Sequence, residues 1–124
     1  MCNESTPKPW GTYRVIDQSD SHQAKQITVQ PYQRLSYQRH QRRSEHWFIV
    51  AGEAEATVGG RTLRLRPGSS VDVPLGVAHR ITNACESELV LIEVQTGEYF
   101  DEDDIERLDD DYGRIALPVS RHGR

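Results

Sequence analysis

Only two cysteines, Cys2 and Cys85, stand in this chain of 124 residues. That is too few for a disulfide framework, and neither belongs to a C-x-x-C pair, so a thiolate zinc site is not expected. Cys2 reads as a free terminal thiol and Cys85 as an inert loop residue. Long apolar runs are missing too: no stretch approaches the roughly 18 residues of a membrane span. The polar, proline-containing stretch from Met1 to Trp10 is unlike a signal peptide, and a cytoplasmic location is expected. Hydrophobic residues make up 35% and charged residues 27%, which suits one soluble domain with a modest core. The net charge of −4 argues against a nucleic-acid partner. The sequence also lacks an internal repeat, a low-complexity segment and a long amphipathic helix.

What it has instead is a series of short β-rich segments. Residues 12–16, 25–30, 35–38, 46–51, 54–58, 61–65, 70–73, 79–82 and 89–95 read as strands, with turn residues between them. Residues 17–22 form a polar loop in this reading. Gly59-Gly60 is a two-residue hairpin signal. Ala54, Ala56 and Val58 alternate with Glu55 and Thr57, and Leu63 and Leu65 flank Arg64, so both strands have one buried and one wet face. Residues 89–94 are apolar enough for a central strand, and Pro67-Gly68 starts another turn. Many short strands at regular spacing indicate a sandwich or a closed barrel. Residues 1–9 read as a loose lead-in to a single domain over 10–124. Residues 101–108 alone permit a helical turn or two, with acidic residues at the end where the helix dipole favours them. The expected class is therefore all-β, with a short helical tail near the C-terminus.

Two groups of residues carry the chemistry. Gln38, His40 and Glu45 are spaced Q-x-H-x4-E, with Gly52 beyond them. Gly68, Pro74, Gly76, His79 and Asn83 read G-x5-P-x-G-x2-H-x3-N. Gln38 and His40 are two apart on a strand and share a face. Glu45 can rejoin them from the next strand, and His79 follows a turn that delivers a side chain into a barrel mouth. Two imidazoles, a carboxylate and a carboxamide oxygen would suit Zn²⁺, Mn²⁺, Fe²⁺ or Ni²⁺, and ligand type does not choose among these. A divalent ion half-neutralised by Glu45 could polarise a carbonyl or enediolate oxygen. His46 is adjacent to Glu45 and faces the other side, so it reads as structural. His22 and His122 lie in polar, loop-like context and are not expected to be ligands. Trp10 and Trp47 read as core or rim aromatics rather than sugar-stacking platforms.

Charge is unevenly distributed. Arg34, Arg39, Arg42 and Arg43 crowd the first ligand group, while eight acidic residues lie between Asp101 and Asp111. A basic patch beside a metal suits an anionic small molecule.

The paired groups resemble the two motifs of the cupin superfamily, whose fold is a double-stranded β-helix or jelly-roll barrel. Gln38 stands where many cupins place their first histidine. With Arg43-x-Glu45-His46-Trp47, this looks like the cupin domain of type II mannose-6-phosphate isomerases, which in many members follows a mannose-1-phosphate guanylyltransferase domain. Pro9-Trp10-Gly11, Tyr13, Lys25, Leu35-Ser36 and Gly52 fit the same family. So do Pro74-x-Gly76-x-x-His79, Glu93-Val94-Gln95-x-Gly97-Glu98-Tyr99, Asp103-Asp104-Ile105-x-Arg107 and Tyr112-Gly113-Arg114. The similarity spans roughly residues 9–114. Departures are Arg42 where the family often has histidine, Tyr32 where it often has glycine, and Gln26 for a frequent basic residue.

The resemblance implies interconversion of mannose 6-phosphate and fructose 6-phosphate through an enediol, around one divalent metal held by Gln38, His40, Glu45 and His79. Lys25, Arg43 and Arg114 are then the expected phosphate or enediolate partners, and Glu98 or a metal-bound water the base. The substrate would be a phosphorylated sugar. A glycine-rich nucleotidyltransferase loop has no counterpart here, so guanylyl transfer is not expected. The alternative is a non-catalytic, metal-containing sugar-binding or regulatory cupin. The family also implies a homodimer, for which an open strand edge would be the physical motive.

Overall fold

Strict alternation of side chains builds the larger sheet. In β3 (His22–Val29) every second residue, Gln23, Lys25, Ile27 and Val29, is buried. In β5 (Arg43–Ala51) the buried set is Arg43, Glu45, Trp47 and Ile49. In β10 (Leu89–Gly97) it is Leu89, Leu91, Glu93 and Gln95. A period of two places each set on one face of the pleat.

The computed structural model describes residues 4–115; Cys2 and His122 therefore lie outside the described residues. The other strands are β1 (Thr6–Lys8), β2 (Gly11–Gln18), β4 (Tyr37–Arg39), β6 (Ala54–Val58), β7 (Arg61–Leu65), β8 (Ser70–Val73), β9 (His79–Thr82) and β11 (Glu106–Asp109). A six-stranded sheet runs β1-β2-β3-β10-β5-β8, and a five-stranded sheet runs β11-β4-β9-β6-β7. Every strand pairing in them is antiparallel. Among the described residues none is helical, and no helix is long and apolar enough to cross a membrane.

Register divides the inner face of the larger sheet into two ends. Ile27, Leu91 and Ile49 lie side by side across three strands, with Val29 beside Leu89. With Ala54, Ala56, Leu65 and Ile81 from the smaller sheet they form the apolar end. Burying each large aliphatic contributes about 1.5–3 kcal/mol. Two residues along, the same strands carry Lys25, Glu93 and Trp47 abreast, then Gln23, Gln95 and Glu45. One end of the barrel is thus a hydrophobic plug and the other a buried polar floor.

The motif glycines and Asn83 hold the frame. Gly59 and Gly60, at φ 58° and 82°, make the hairpin turn between β6 and β7. Gly52 has φ 82°, and a Cβ there would sit 2.5 Å from the Glu88 carbonyl oxygen, so only glycine fits. Asn83 is fully buried; its amide donates to the carbonyls of Val29, Gln30 and Ser87, and its oxygen accepts from the Cys85 N–H.

Several expectations need correction. The helical tail is not formed: a turn at residues 102–104 is followed by β11, whose backbone pairs with β4. An available strand edge outweighs the weak helical preference of an acidic segment. The lead-in is not loose throughout, because residues 6–8 pair with β2. The loop at 17–22 shrinks to residues 19–21, since the strands run to Gln18 and restart at His22.

Tyr32 is the one non-glycine at positive φ among the described residues, at 61°, and its side chain is exposed. The left-handed region costs a residue with a Cβ roughly 1–2 kcal/mol. Tyr32→Gly removes that strain and loses little packing. It is expected to raise stability by about 0.5–1 kcal/mol after the extra backbone entropy of glycine is deducted. The urea midpoint checks this, and a lower midpoint for the variant contradicts it.

Candidate metal centre and its pocket

His40, Glu45 and His79 converge inside the polar end. One donor atom from each lies within 4.8 Å of the others, and all three residues are buried. His40 Nε2 is 3.2 Å from Glu45 Oε2, and His79 Nε2 is 3.6 Å from Glu45 Oε1. Backbone carbonyls fix both rings. His40 Nδ1–H donates to the Asp104 carbonyl at 2.6 Å, and His79 Nδ1–H to the Val77 carbonyl at 2.9 Å. With Nδ1 engaged in this way, each ring turns its Nε2 toward Glu45.

The local sequence explains this convergence. Gly76, at φ 74°, closes the turn that begins at Pro74, and its N–H donates to the His40 carbonyl at 2.7 Å. The P-x-G-x2-H motif therefore ties the loop before His79 to the backbone of His40. From the other side Asp104 accepts the N–H groups of Gln41 and Arg42 at 3.1 and 3.0 Å. Register places Gln38 directly beside His79 on one side and Arg107 on the other. The Gln38 amide nitrogen donates to Ser36 Oγ at 2.9 Å.

Glu45 is held charged. Burial alone would raise its carboxyl. The hydrogen bond with His40 and the charge interaction with His79 outweigh burial and hold it well below the usual carboxylate range. Burial also keeps the His79 imidazole below its ordinary value. Arg43 donates Nε to Glu45 at 3.3 Å and Nη1 to the Phe100 carbonyl at 3.1 Å. Trp47 Nε1 lies between two carboxyls, 3.1 Å from Glu45 and 3.2 Å from Glu93. Burial, reinforced by the charge of Glu45, pushes Glu93 up to about 8. Gln95 donates to Glu93 at 2.8 Å, and Gln23 to Gln95 at 3.0 Å. A neutral Glu93 beside a charged Glu45 is how two neighbouring carboxyls divide one negative charge. The His-Glu-His group could hold a metal ion: two imidazole nitrogens and one carboxylate suit a divalent ion, without choosing which.

A pocket of about 580 Å³, part of it open solvent at the mouth, lies over this group. Six cations line it: Lys8, Lys25, Arg43, Arg80, Arg107 and Arg114. Three carboxyls line it as well: Glu45, Glu93 and Glu102. Lys25 Nζ is 3.1 Å from Glu102 and 4.3 Å from the centre of the Tyr13 ring. Arg80 is held by the Leu35 carbonyl and by Asp109, at 2.9 and 3.1 Å, and Arg114 pairs with Asp110 at 2.9 Å. Arg107 differs. Its Nε is buried with no hydrogen-bond partner among the described residues. Burial, with Arg114 nearby, lowers its guanidinium from the ordinary value.

Of the residues expected from sequence to act on substrate, Lys25, Arg43 and Arg114 line the pocket, and Glu98 does not. Glu98 points to solvent and pairs with Arg42 at 3.6 Å, outside the pocket lining. The expected basic patch also dissolves. Arg34 pairs with Asp111, Arg39 with Glu106 and Arg42 with Glu98, so only Arg43 turns inward. His46 faces outward against Asp72, and His22 bonds Asp17 and Ser19. Trp10 and Trp47 are buried in the core. Sequence reasoning missed Glu93, Glu102 and Arg107. Glu93 had a legible signal, since it has the inward parity of Leu89 and Leu91 in an otherwise apolar strand.

Comparison with known proteins adds to this geometry. A family described as "Mannose-6-phosphate isomerase C-terminal" matches residues 2–110. The alginate biosynthesis protein AlgA of Pseudomonas aeruginosa is 46% identical over 112 residues, 90% of this chain and 23% of that protein. The mannose-1-phosphate guanylyltransferase of Escherichia coli K12 is 45% identical over 108 residues, 87% of this chain and 23% of that protein. The chain thus spans less than a quarter of the length of these relatives. In fold it is similar to an RmlC-like cupin from Shewanella frigidimarina, with a TM-score of 0.70 at 24% identity over 82% of this chain and 87% of that one. These findings overturn the expected isomerase activity. The relatives carry the names of a polysaccharide biosynthesis protein and a guanylyltransferase, so assignment of this chain as a mannose-6-phosphate isomerase is withdrawn. What the strand order, the paired motifs and the match over nearly the whole chain do establish is membership: the chain belongs to the cupins of the mannose-6-phosphate isomerase C-terminal family.

Proposed function

We propose that the chain is a metal-containing cupin that binds a phosphorylated sugar without turning it over, as a binding or regulatory domain. The observation that carries this reading is the buried Nε of Arg107, unpartnered among the described residues and set in line with Gln38 and His79 across one inner sheet face. A buried donor without an acceptor costs about 1–3 kcal/mol, so it is retained where a ligand satisfies it. An anionic group entering the pocket supplies that acceptor. The six lining cations outnumber the three carboxyls, and Glu93 is neutral below about pH 8. The names of the relatives support a sugar phosphate as the anion's source.

His40, Glu45 and His79 would hold the metal, with the Gln38 carbonyl oxygen as a further donor. When bound, the ion supplies Lewis-acid contacts to sugar oxygens. The chain's own residues do the rest. Arg107 and Lys25 hold the anion, Tyr13 keeps Lys25 in place by its ring face, and Trp10 and Trp47 exclude water from the floor. The guanidinium fork fits a phosphate bidentately, and Lys25 adds a point charge.

Elemental analysis after loading with Zn²⁺ or Mn²⁺ is expected to give about one ion per chain, and His79→Ala is expected to lower this at least tenfold, as befits loss of one ligand in a small set. Unchanged stoichiometry in the variant contradicts the ligand set.

Calorimetry with mannose 1-phosphate is expected to show binding that Arg107→Met weakens roughly ten- to hundredfold, the worth of a hydrogen bond to a charged group. Equal affinity of the two proteins contradicts the anion seat. Release of fructose 6-phosphate from mannose 6-phosphate, above a His79→Ala control, contradicts the non-catalytic reading.

A further inference from the structure

Glu102 lies where the ligand's anion would go. It sits on the loop joining β10 to β11 and lines the pocket. Its Oε2 is 3.1 Å from Lys25 Nζ and 3.8 Å from Arg43 Nη2. Lys8 and Arg107 are close enough to interact with its charge. The exposures within this cluster are unequal. The Lys25 and Arg43 side chains are 7% and 3% exposed, whereas that of Glu102 is 43% exposed. The cations are fixed by other contacts: Lys25 by the Tyr13 ring, Arg43 by Glu45 and the Phe100 carbonyl. Among the described residues the ion pairs of Glu102 are with these two cations. The loop is anchored on either side of it, by Arg43 at Phe100 and by His40, Gln41 and Arg42 at Asp104. A rotation of one side chain would therefore clear the seat while the loop backbone stays in place.

We propose that Glu102 is an internal competitor for the anion seat: its carboxylate occupies the place of the ligand's anionic group and sets how strongly an anion must bind Lys25 and Arg43 to enter. This rests on the sugar-phosphate reading above and names what limits affinity at that site. A ligand must replace the interactions of the Glu102 carboxylate with Lys25 and Arg43. A dianion with three acceptor oxygens gains more from those cations than the monoanion it displaces. A sugar carboxylate offers the same charge as Glu102 and gains little by the exchange. A neutral sugar cannot displace it.

The test is calorimetry on the metal-loaded chain with mannose 1-phosphate and with a hexuronate of the same ring size. Glu102→Gln is expected to tighten mannose 1-phosphate about tenfold, the scale of removing a like charge from a desolvated contact, and to tighten the hexuronate by the same factor, because a competitor that both must displace scales both affinities alike. Glu102→Asp withdraws the carboxylate by one methylene and should fall between wild type and Glu102→Gln. Glu106→Gln neutralises a nearby acid that pairs with Arg39 on the surface, and should change either affinity by less than about twofold, as expected for a screened rim charge. Binding of mannose 1-phosphate by wild type that Glu102→Gln leaves unchanged or weakens overturns the competitor role and leaves the sugar-phosphate reading standing. An equal gain in Glu106→Gln also overturns it, because a general field effect would then suffice. Failure of both wild type and Glu102→Gln to bind, with cooperative melting intact, overturns the sugar-phosphate reading and this inference together.

Discussion

A charged carboxylate lies almost out of reach of water at one end of this barrel. Isolated, the Glu45 side chain would either cost several kcal/mol or take up a proton. It does neither, because His40, His79, Arg43 and Trp47 all direct polar atoms at it. Each of those partners is itself fixed elsewhere: His40 by Asp104, His79 by Val77, Arg43 by Phe100, Trp47 by Glu93. The polar end of the domain is an arrangement that keeps this one negative charge in place. The same arrangement turns two imidazole Nε2 atoms toward it, a donor set that suits a cation.

The strand layout turns this local chemistry into a site. Three adjacent strands bring Lys25, Glu93 and Trp47 abreast, while the facing sheet aligns Arg107, Gln38 and His79. The pocket lies between these two rows. His40 links them through its neighbours, since the Gly76 N–H bonds its carbonyl and the Asp104 carbonyl accepts from its ring. Loops from opposite sides thus meet at one residue. Removing the His40 ring would loosen both the donor set and the loop that carries Glu102.

Much of this was legible in the order of residues. Alternation in residues 54–58 and 61–65, with Gly59-Gly60 between, specified a hairpin that formed at those bounds. The cupin resemblance gave the barrel and brought His40, Glu45 and His79 to notice together. What stayed hidden depends on pairing between distant segments. β1 and β11 are three and four residues long and carry too little pattern to announce themselves. The acidic stretch at 101–108 looked helical because its charges suited a dipole; in the fold Asp104 caps backbone N–H groups at 41 and 42, and the strand after it completes a sheet edge. Glu98 and Glu102 are four residues apart in the same segment, and only the loop's path decides that Glu102 enters while Glu98 meets Arg42 outside. The arginines around the first motif were likewise unreadable singly, since three of the four are matched by acids more than fifty residues away.

The central claim is that His40, Glu45 and His79 share one cation. Anomalous diffraction from crystals loaded with Mn²⁺ or Zn²⁺, recorded on both sides of the metal's absorption edge, tests it most directly. The account predicts a single strong peak within bonding distance, about 2.0–2.2 Å, of both Nε2 atoms and a Glu45 oxygen. A peak lodged elsewhere, or no peak at the two Nε2 atoms at saturating metal, would contradict it.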